Sequence, residues 1–396
     1  MDTYRIKNAP VALAGCPDYD RDKVYDAVKW LLASIGAGKE TFEGKKVVLK
    51  PNLVAAREPD AAVTSHPSVV EAVTRCVREC GAADVMIAES PGGSYTASFL
   101  NRIYDATGMR ELAGNGGPRL NDDLSSASVK FAEGKKLKSF EVLTPIADAD
   151  VVVNIPKLKT HSLTGLSCAV KNLFGVIPGT QKFAMHAAYP ELGDFSEMLC
   201  DLDLALYRDH EIISVCDAVW SMEGNGPSHG TPVFTGMLLA SSSTFALDVV
   251  AEHLAGLDGT TKFLDIAADK GLVARSADGV NVIRADGAPE RAELAPPDSR
   301  DPNSFSMKIL IAMPNLFGGR FSRFFEPSPK INAKKCVGCS NCAKVCPAKT
   351  ITMKKKKGKK LAVIGRKNCI RCFCCQELCP HGAVDTVKNP ILKLIG

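Results

Sequence analysis

No stretch of this 396-residue chain stays apolar for the roughly 20 residues that a membrane-spanning helix requires. The run from Met237 to Leu247 carries three serines before Asp248 closes it, and Ile309 to Met313 runs into Pro314. The first residues lack the basic start and apolar core of a secretory leader, since Asp2, Arg5 and Lys7 are followed by Asp18 and Asp20. The expected compartment is the cytoplasm. Nucleotide signatures are also missing: there is no G-x-x-x-x-G-K-[ST], and no G-x-G-x-x-G between a strand and a helix, so a nucleotide cofactor has no support. A composition of 45% hydrophobic and 23% charged residues excludes disordered, collagenous and coiled-coil chains. At roughly 150 residues per domain, the length allows two or three domains.

Cysteine is abundant and unevenly placed. Of 15 cysteines, six are scattered through the first 216 residues and nine crowd into the last 61, which points to a metal site rather than a disulfide scaffold. The crowded set reads Cys336-x2-Cys339-x2-Cys342-x3-Cys346-Pro347, then repeats as Cys369-x2-Cys372-x2-Cys375-x3-Cys379-Pro380. Three thiolates at this spacing wrap one face of a 4Fe-4S cubane, and the fourth, before proline, ligates the other cluster. The spacing therefore assigns one cluster to Cys336, Cys339, Cys342 and Cys379, and a second to Cys369, Cys372, Cys375 and Cys346. Cys374 fits the repeat poorly and reads as a buried thiol, with tuning of the site as the lesser reading. The segment resembles bacterial-type ferredoxins carrying two 4Fe-4S clusters, which implies one-electron transfer and an oxygen-sensitive protein of anaerobic chemistry.

Charge separates the same segment from the rest. From Lys330 onward, 16 lysines and arginines face only Glu377 and Asp385, whereas the preceding residues hold 33 basic against 42 acidic side chains. Between the cysteine motifs, Thr350–Met353 and Leu361–Ile364 flank a lysine-rich turn at Gly358, the pattern of a hairpin. Its lysines read as a solvated turn or as a docking surface for an acidic electron carrier such as a ferredoxin or flavodoxin. Nucleic acid is not expected, because no aromatic residues interleave with them.

Upstream, β-rich runs at Val11–Ala14, Lys46–Leu49, Val85–Ala88, Val151–Ile155, Ile212–Val215 and Met237–Ala240 alternate with helical patterns. The helical stretches are Asp22–Ile35, Pro67–Cys80 with Ser65 near its start, Phe195–Tyr207 and Thr244–Leu257. Strands so apolar on both faces predict an α/β module on a large parallel or mixed sheet, followed by a small α+β ferredoxin-like two-cluster domain. The expected boundaries are 1–290 for the α/β module, 291–329 for a linker and interdomain packing segment, and 330–396 for the cluster domain. Arg284–Ser304 has linker composition, and the phenylalanine-rich Met307–Phe325 suits packing between modules better than membrane adhesion through Lys308, Arg320 and Arg323.

Polar motifs fall beyond the carboxyl ends of the strands, where open α/β sheets bind ligands. Lys50-Pro51-Asn52 follows the second strand, Glu89 and Gly92-Gly93-Ser94 the third, Pro156 to His161 the fourth, and Asp217 with Glu223 the fifth. If the chain stays extended past Pro156, Lys157, Lys159 and His161 share one face, which suits a carboxylate or phosphate with a histidine to move a proton. Thr164–Gly175 reads as a helix bearing Lys171 and Asn172, with Thr164, Ser167 or Cys168, and Lys171 on one polar stripe. Beyond it a loop carries Lys182 and His186 back toward His161. A metal between the two histidines is weakly supported. The glycine run is equally an anion nest or a plain turn, His229 reads as a loop residue, and Cys168 is the one scattered thiol near enough to the basic segment to be a reactive candidate.

Lys50-Pro-Asn-Leu53, Thr64-Ser-His-Pro67, Lys157-Leu-Lys-Thr-His161, Ala169-Val-Lys-Asn-Leu-Phe-Gly175 and Met222-Glu-Gly-Asn-Gly-Pro227, followed by the paired cysteine motif, together resemble the domain of unknown function 362 family with a ferredoxin extension. The resemblance implies architecture more than chemistry. The leading expectation is an iron-sulfur oxidoreductase passing electrons to a small anionic substrate or an additional cofactor of unknown identity. His161, His186 and Lys171 would be catalytic, and Lys50, Asn52, Glu89, Lys157, Lys159, Asn172 and Glu223 would hold the ligand. The alternatives are a non-catalytic electron relay or docking protein, and a cluster-stabilised assembly or sensing protein.

Overall fold

A computed structural model describes residues 6–114, 116–299, 327–356 and 358–387. The α/β module carries β1 (Val11–Gly15), β2 (Lys46–Pro51), β3 (Asp84–Ile87), β4 (Arg119–Leu120), β5 (Ser126–Lys130), β6 (Ser139–Leu143), β7 (Val151–Ile155), β8 (Lys157–His161), β9 (Gly165–Ser167), β10 (Glu211–Glu223), β11 (Thr231–Ser241) and β12 (Val282–Arg284). All but β5 and β6, which pair with each other, belong to one ten-stranded sheet. Its main order is β12-β1-β11-β10-β7-β2-β3-β4, with β8 on β10 and β9 on β8. The run β10-β7-β2-β3-β4 is parallel, while β11 lies antiparallel to both β10 and β1, so the sheet is mixed.

Apolar residues on both faces of the strands are explained by helices on both sides. Val11, Leu13, Val48, Val152 and Ile212 pack with helices Leu192–Asp209, Thr244–Leu254 and Lys262–Asp269. Their neighbours Ala12, Val47, Leu49, Val151, Val153 and Ile213 point the other way, into helices Arg21–Ser34, Pro67–Glu79 and Ala97–Ala106. A side-chain period of two divides each strand between two cores.

Helix starts follow local chemistry. Asp20 accepts from the amides of Asp22 and Lys23, and Ser243 from that of Ala246. The cap of Pro67–Glu79 is His66, whose Nδ1 accepts from Ser68 N at 3.2 Å, with Pro67 at the first helical position. The hydroxyl of Ser65 is used elsewhere: it accepts from Asn52 N at 2.9 Å and donates to Ile155 O at 2.6 Å, tying the β2 and β7 ends together.

Two departures from the sequence reading shape the site. Thr164–Gly175 is not one helix: Gly165–Ser167 forms β9 against β8, and a short helix, Ala169–Leu173, begins only after Cys168. Asp248 fixes that start by accepting from Ala169 N at 2.6 Å and Val170 N at 3.1 Å, and burial pushes its carboxyl up to about 7. Residues 291–299 also run as a strap along the α/β module. Leu294 enters the core, Ala295 N donates to Glu223 at 2.8 Å, and Ser299 Oγ donates to Ser162 O at 2.6 Å. Met307–Phe325, with Lys308, Arg320 and Arg323, lies outside the described residues.

The small domain pairs β13 (Ser328–Ile331) antiparallel with β16 (Val384–Val387), and β14 (Ile351–Lys356) with β15 (Lys359–Ile364). Short helices Asn341–Lys344 and Cys374–Glu377 complete its α+β character. Lys356 stands opposite Lys359 where the basic hairpin closes. Among the described residues no helix is long and apolar enough to cross a membrane.

Candidate active site between the two modules

Where β7 ends, Pro156 has no amide to continue the ladder, but its carbonyl accepts from Asp217 N at 2.8 Å and the chain stays extended as β8 along the second half of β10. The sequence reading placed Lys157, Lys159 and His161 together, and the structure distributes them. The Lys157 ammonium donates to Asp217 at 2.9 Å and to the Tyr19 hydroxyl at 2.6 Å, and Tyr19 donates to the other Asp217 oxygen at 2.8 Å. His66 stacks on Tyr19 with ring centroids 3.6 Å apart, and its amide donates to Asp217. Lys157 is therefore a buried fastener between β8, β10 and the first loop, outside the cavity that follows. Glu223 lies outside it too, spent on the strap at Ala295.

The cavity, about 70 Å³, is lined by Lys50 of β2, Asn52 and Glu89 just beyond the strand ends, Lys159 and His161 of β8, Lys171 and Asn172 of the Ala169–Leu173 helix, and Lys182 and His186, which stand on a helix, Gln181–Ala188, rather than on a loop. Lys50 forms a buried ion pair with Glu89. Lys159 donates to Val63 O at 2.8 Å and Asn52 Oδ1 at 3.3 Å. Asn172 donates to Lys50 O and Asn154 Oδ1, holding the Ala169–Leu173 helix against β2 and β7. Lys182 donates to Ser90 O, Ser90 Oγ and Ile177 O at 2.7, 2.9 and 2.9 Å. Gly175 is where the Asn172-Leu-Phe-Gly turn meets the ion pair: a Cβ there would fall on the Glu89 carboxylate and the Lys50 ammonium. The Gly92 amide donates to Val54 O at 3.0 Å, which makes the glycine run a turn rather than an open nest.

Desolvation governs the electrostatics. It pulls Lys159 and Lys182 down to about 7, against partial restoration by Glu377 and Glu89 respectively, and lowers Lys50 and Lys171 as well. Lys171 keeps part of its side chain open to the cavity and lies 4.6 Å over the Phe174 ring. His186 stacks on Phe195 with centroids 4.4 Å apart, and burial drops its pKa to about 3, so it is a neutral imidazole packed among aromatics. His161 Nδ1 accepts from Leu163 N at 3.0 Å, which leaves the ring proton on Nε2 in the neutral form. Cys168 lies 3.4 Å from the Cys216 sulfur, fully buried and not part of the cavity wall, and burial raises its thiol well above the ordinary range.

The remaining wall comes from the small domain. Cys374, Glu377 and Leu378, on either side of the predicted cluster ligand Cys375, line the cavity opposite the lysines. Leu378 packs so closely on Gly92 that a Cβ there would strike its side chain, and His229 rests beside Gly382. No local signal marks this wall, because nothing in a cysteine turn records which surface it meets.

Both cysteine motifs adopt the same backbone. Gly338 and Arg371, Ser340 and Phe373, and Lys349 and Gly382, at matching places in the two copies, all have left-handed φ between 49° and 75°. Such turns aim backbone N–H groups inward toward sulfur. The amide four residues after each fourth cysteine donates to its sulfur, Thr350 N to Cys346 at 3.4 Å and Ala383 N to Cys379 at 3.3 Å. Cys336, Cys339, Cys342 and Cys379 line one cavity. Cys346 neighbours Cys369 and Cys375, so each fourth cysteine reaches across to the other triplet. Among the described residues no three His, Cys, Asp or Glu side chains converge on a single-ion site. The donor set, all thiolate with inward amides, fits iron-sulfur clusters.

Residues 335–383 match the 4Fe-4S dicluster domain family, which makes this an iron-sulfur protein with a ferredoxin-like domain suited to electron transfer. Thylakoid-associated protein sll1697 of Synechocystis sp. is 34% identical over 259 residues, 63% of this chain and 76% of that protein. The lactate racemase apoprotein of Thermoanaerobacterium thermosaccharolyticum has a TM-score of 0.41 and 15% identity, over 65% of this chain and 59% of that one. Residues 47–253 match the domain of unknown function family DUF362, and with the cyanobacterial relative this shows that the chain belongs to that family, with a 4Fe-4S dicluster domain following.

Proposed function

We propose that the chain is a cytoplasmic, ferredoxin-coupled oxidoreductase. A reduced acidic carrier of the ferredoxin or flavodoxin class docks on the basic hairpin and gives up electrons one at a time, and a small anionic substrate in the lysine-lined cavity accepts them. Two 4Fe-4S clusters would be held by Cys336, Cys339, Cys342 and Cys379, and by Cys369, Cys372, Cys375 and Cys346, supplying one-electron transfer when bound. The observation that carries this reading is the shared wall: the turn from Cys374 to Leu378 carries Cys375, one of the thiols that would ligate a cluster, and also closes the cavity.

Within it, Lys50, Lys159, Lys171 and Lys182 bind and orient negative charge, Asn52 and Asn172 fix the floor, and His161 moves a proton through Nε2. His186, neutral and stacked, shapes the wall. The large module is catalytic in this reading rather than a docking platform. The test is anaerobic reoxidation of the reduced holoprotein by a panel of small carboxylates and phosphates, with His161→Ala and Lys171→Ala beside wild type. An anion-dependent rate lost in both variants at unchanged iron content is expected. Reoxidation independent of every anion and of both substitutions would favour a relay.

A further inference from the structure

The small domain is strongly basic, yet one of the two acidic residues after Lys330 faces the lysine cavity of the other module. Glu377 ends the turn Cys374–Glu377 and is held in place by its amide, which donates to Phe373 O at 3.0 Å. Ahead of any other side chain, its carboxylate favours the charged forms of Lys159 and Lys171, and it acts in the same direction on Lys182. Among the described residues no salt bridge joins Glu377 to these lysines, yet Glu377, Lys159, Lys171 and Lys182 line the same cavity, and the space they share is where an anion would sit. The neighbouring acid, Glu89, is already committed to Lys50. Asp385, the other acid of the small domain, instead accepts from Asn332 at 2.9 Å on the surface.

We propose that Glu377 is the resident counter-ion of the lysine cavity and sets its anion affinity: it offsets part of the charge of Lys159, Lys171 and Lys182 when the site is empty and repels an anion that enters. The proposal rests on the reading of the cavity as an anion site. Glu377 is a specificity-determining residue supplied by the iron-sulfur domain, so the α/β module's affinity is tuned from the other module. Singly charged ligands are rejected, and ligands with enough charge to outweigh one carboxylate are retained.

Sulfate, whose charge is fixed near neutrality, is the probe, titrated calorimetrically into the oxidised holoprotein at low ionic strength. Glu377→Gln is expected to tighten sulfate binding on the order of tenfold, the scale of one unit charge at short range in a partly dry site. Asp385→Asn, the same change of net charge away from the cavity, is expected to leave it unchanged. Lys171→Ala is expected to weaken binding, and iron content is measured in every variant. Equal or weaker binding by Glu377→Gln, or equal tightening by Asp385→Asn, with sulfate still bound by wild type and weakened by Lys171→Ala, overturns the role of Glu377 while sparing the anion site. Sulfate binding by neither wild type nor Glu377→Gln overturns both.

Discussion

Anion binding should depend on pH in a way that exposed lysines never produce. Lys159 and Lys182 sit at about 7 because burial strips water from their ammoniums, whereas an ordinary lysine stays charged up to about 10. If an anion requires both in the charged form, its affinity follows the product of the two protonated fractions. That product falls roughly 100-fold between about pH 6 and about pH 8, and roughly tenfold if only one lysine is required. Lysines with ordinary pKa values would give no change over the same range. The assay is calorimetric titration of sulfate at about pH 6, 7 and 8 in two buffers of different ionisation enthalpy, which counts protons taken up with the anion. Uptake approaching two protons above neutrality is expected, falling to about one in Lys182→Gln. A flat affinity with no uptake would refute the reasoning. The same lysines also act on folding. Their folded pKa lies below the unfolded value, so between about pH 7 and about pH 10 the unfolded chain binds more protons and stability rises with pH.

Asp217→Asn should cost about 3–5 kcal/mol, because it leaves the fully buried Lys157 without its counter-charge. Denaturant unfolding measures the loss, and Lys157→Met with Asp217→Asn should recover part of it. Gly175→Ala should destabilise by about 1–3 kcal/mol through overpacking against the Lys50–Glu89 pair, seen as a lower Tm. Cys346→Ala and Cys379→Ala should each lower iron content and the visible absorbance, since each cysteine sits with the opposite triplet.

The sheet was legible because its strands are apolar on both faces, a pattern that needs helices on both sides. The convergence of polar loops at the strand ends was legible for the same reason: once strand direction is known, Lys50, Asn52, Glu89 and Lys159 must gather at one edge. What misled was local periodicity. Thr164, Ser167 and Lys171 fit a helical stripe, but the pairing of β9 with β8 overrode it. Lys157 shares a face with Lys159 by parity, yet Asp217 across β10 captured it. His186 and Lys182 were placed near the site by a loop argument that could not foretell the aromatic stack or the three acceptors around the ammonium. The wall from Cys374 to Leu378 is tertiary from end to end.

That wall makes the dryness of the site conditional. Burial pulls Lys159 and Lys182 to about 7, and part of the cover over their cavity is the wall of Cys374, Glu377 and Leu378, with Leu378 packed on Gly92. A chain that has lost iron has less to hold the turn in shape, and water entering there would let the ammoniums recharge. Metal status and lysine protonation would then move together, so a pH titration of the anion site also reports whether the neighbouring cysteines are filled.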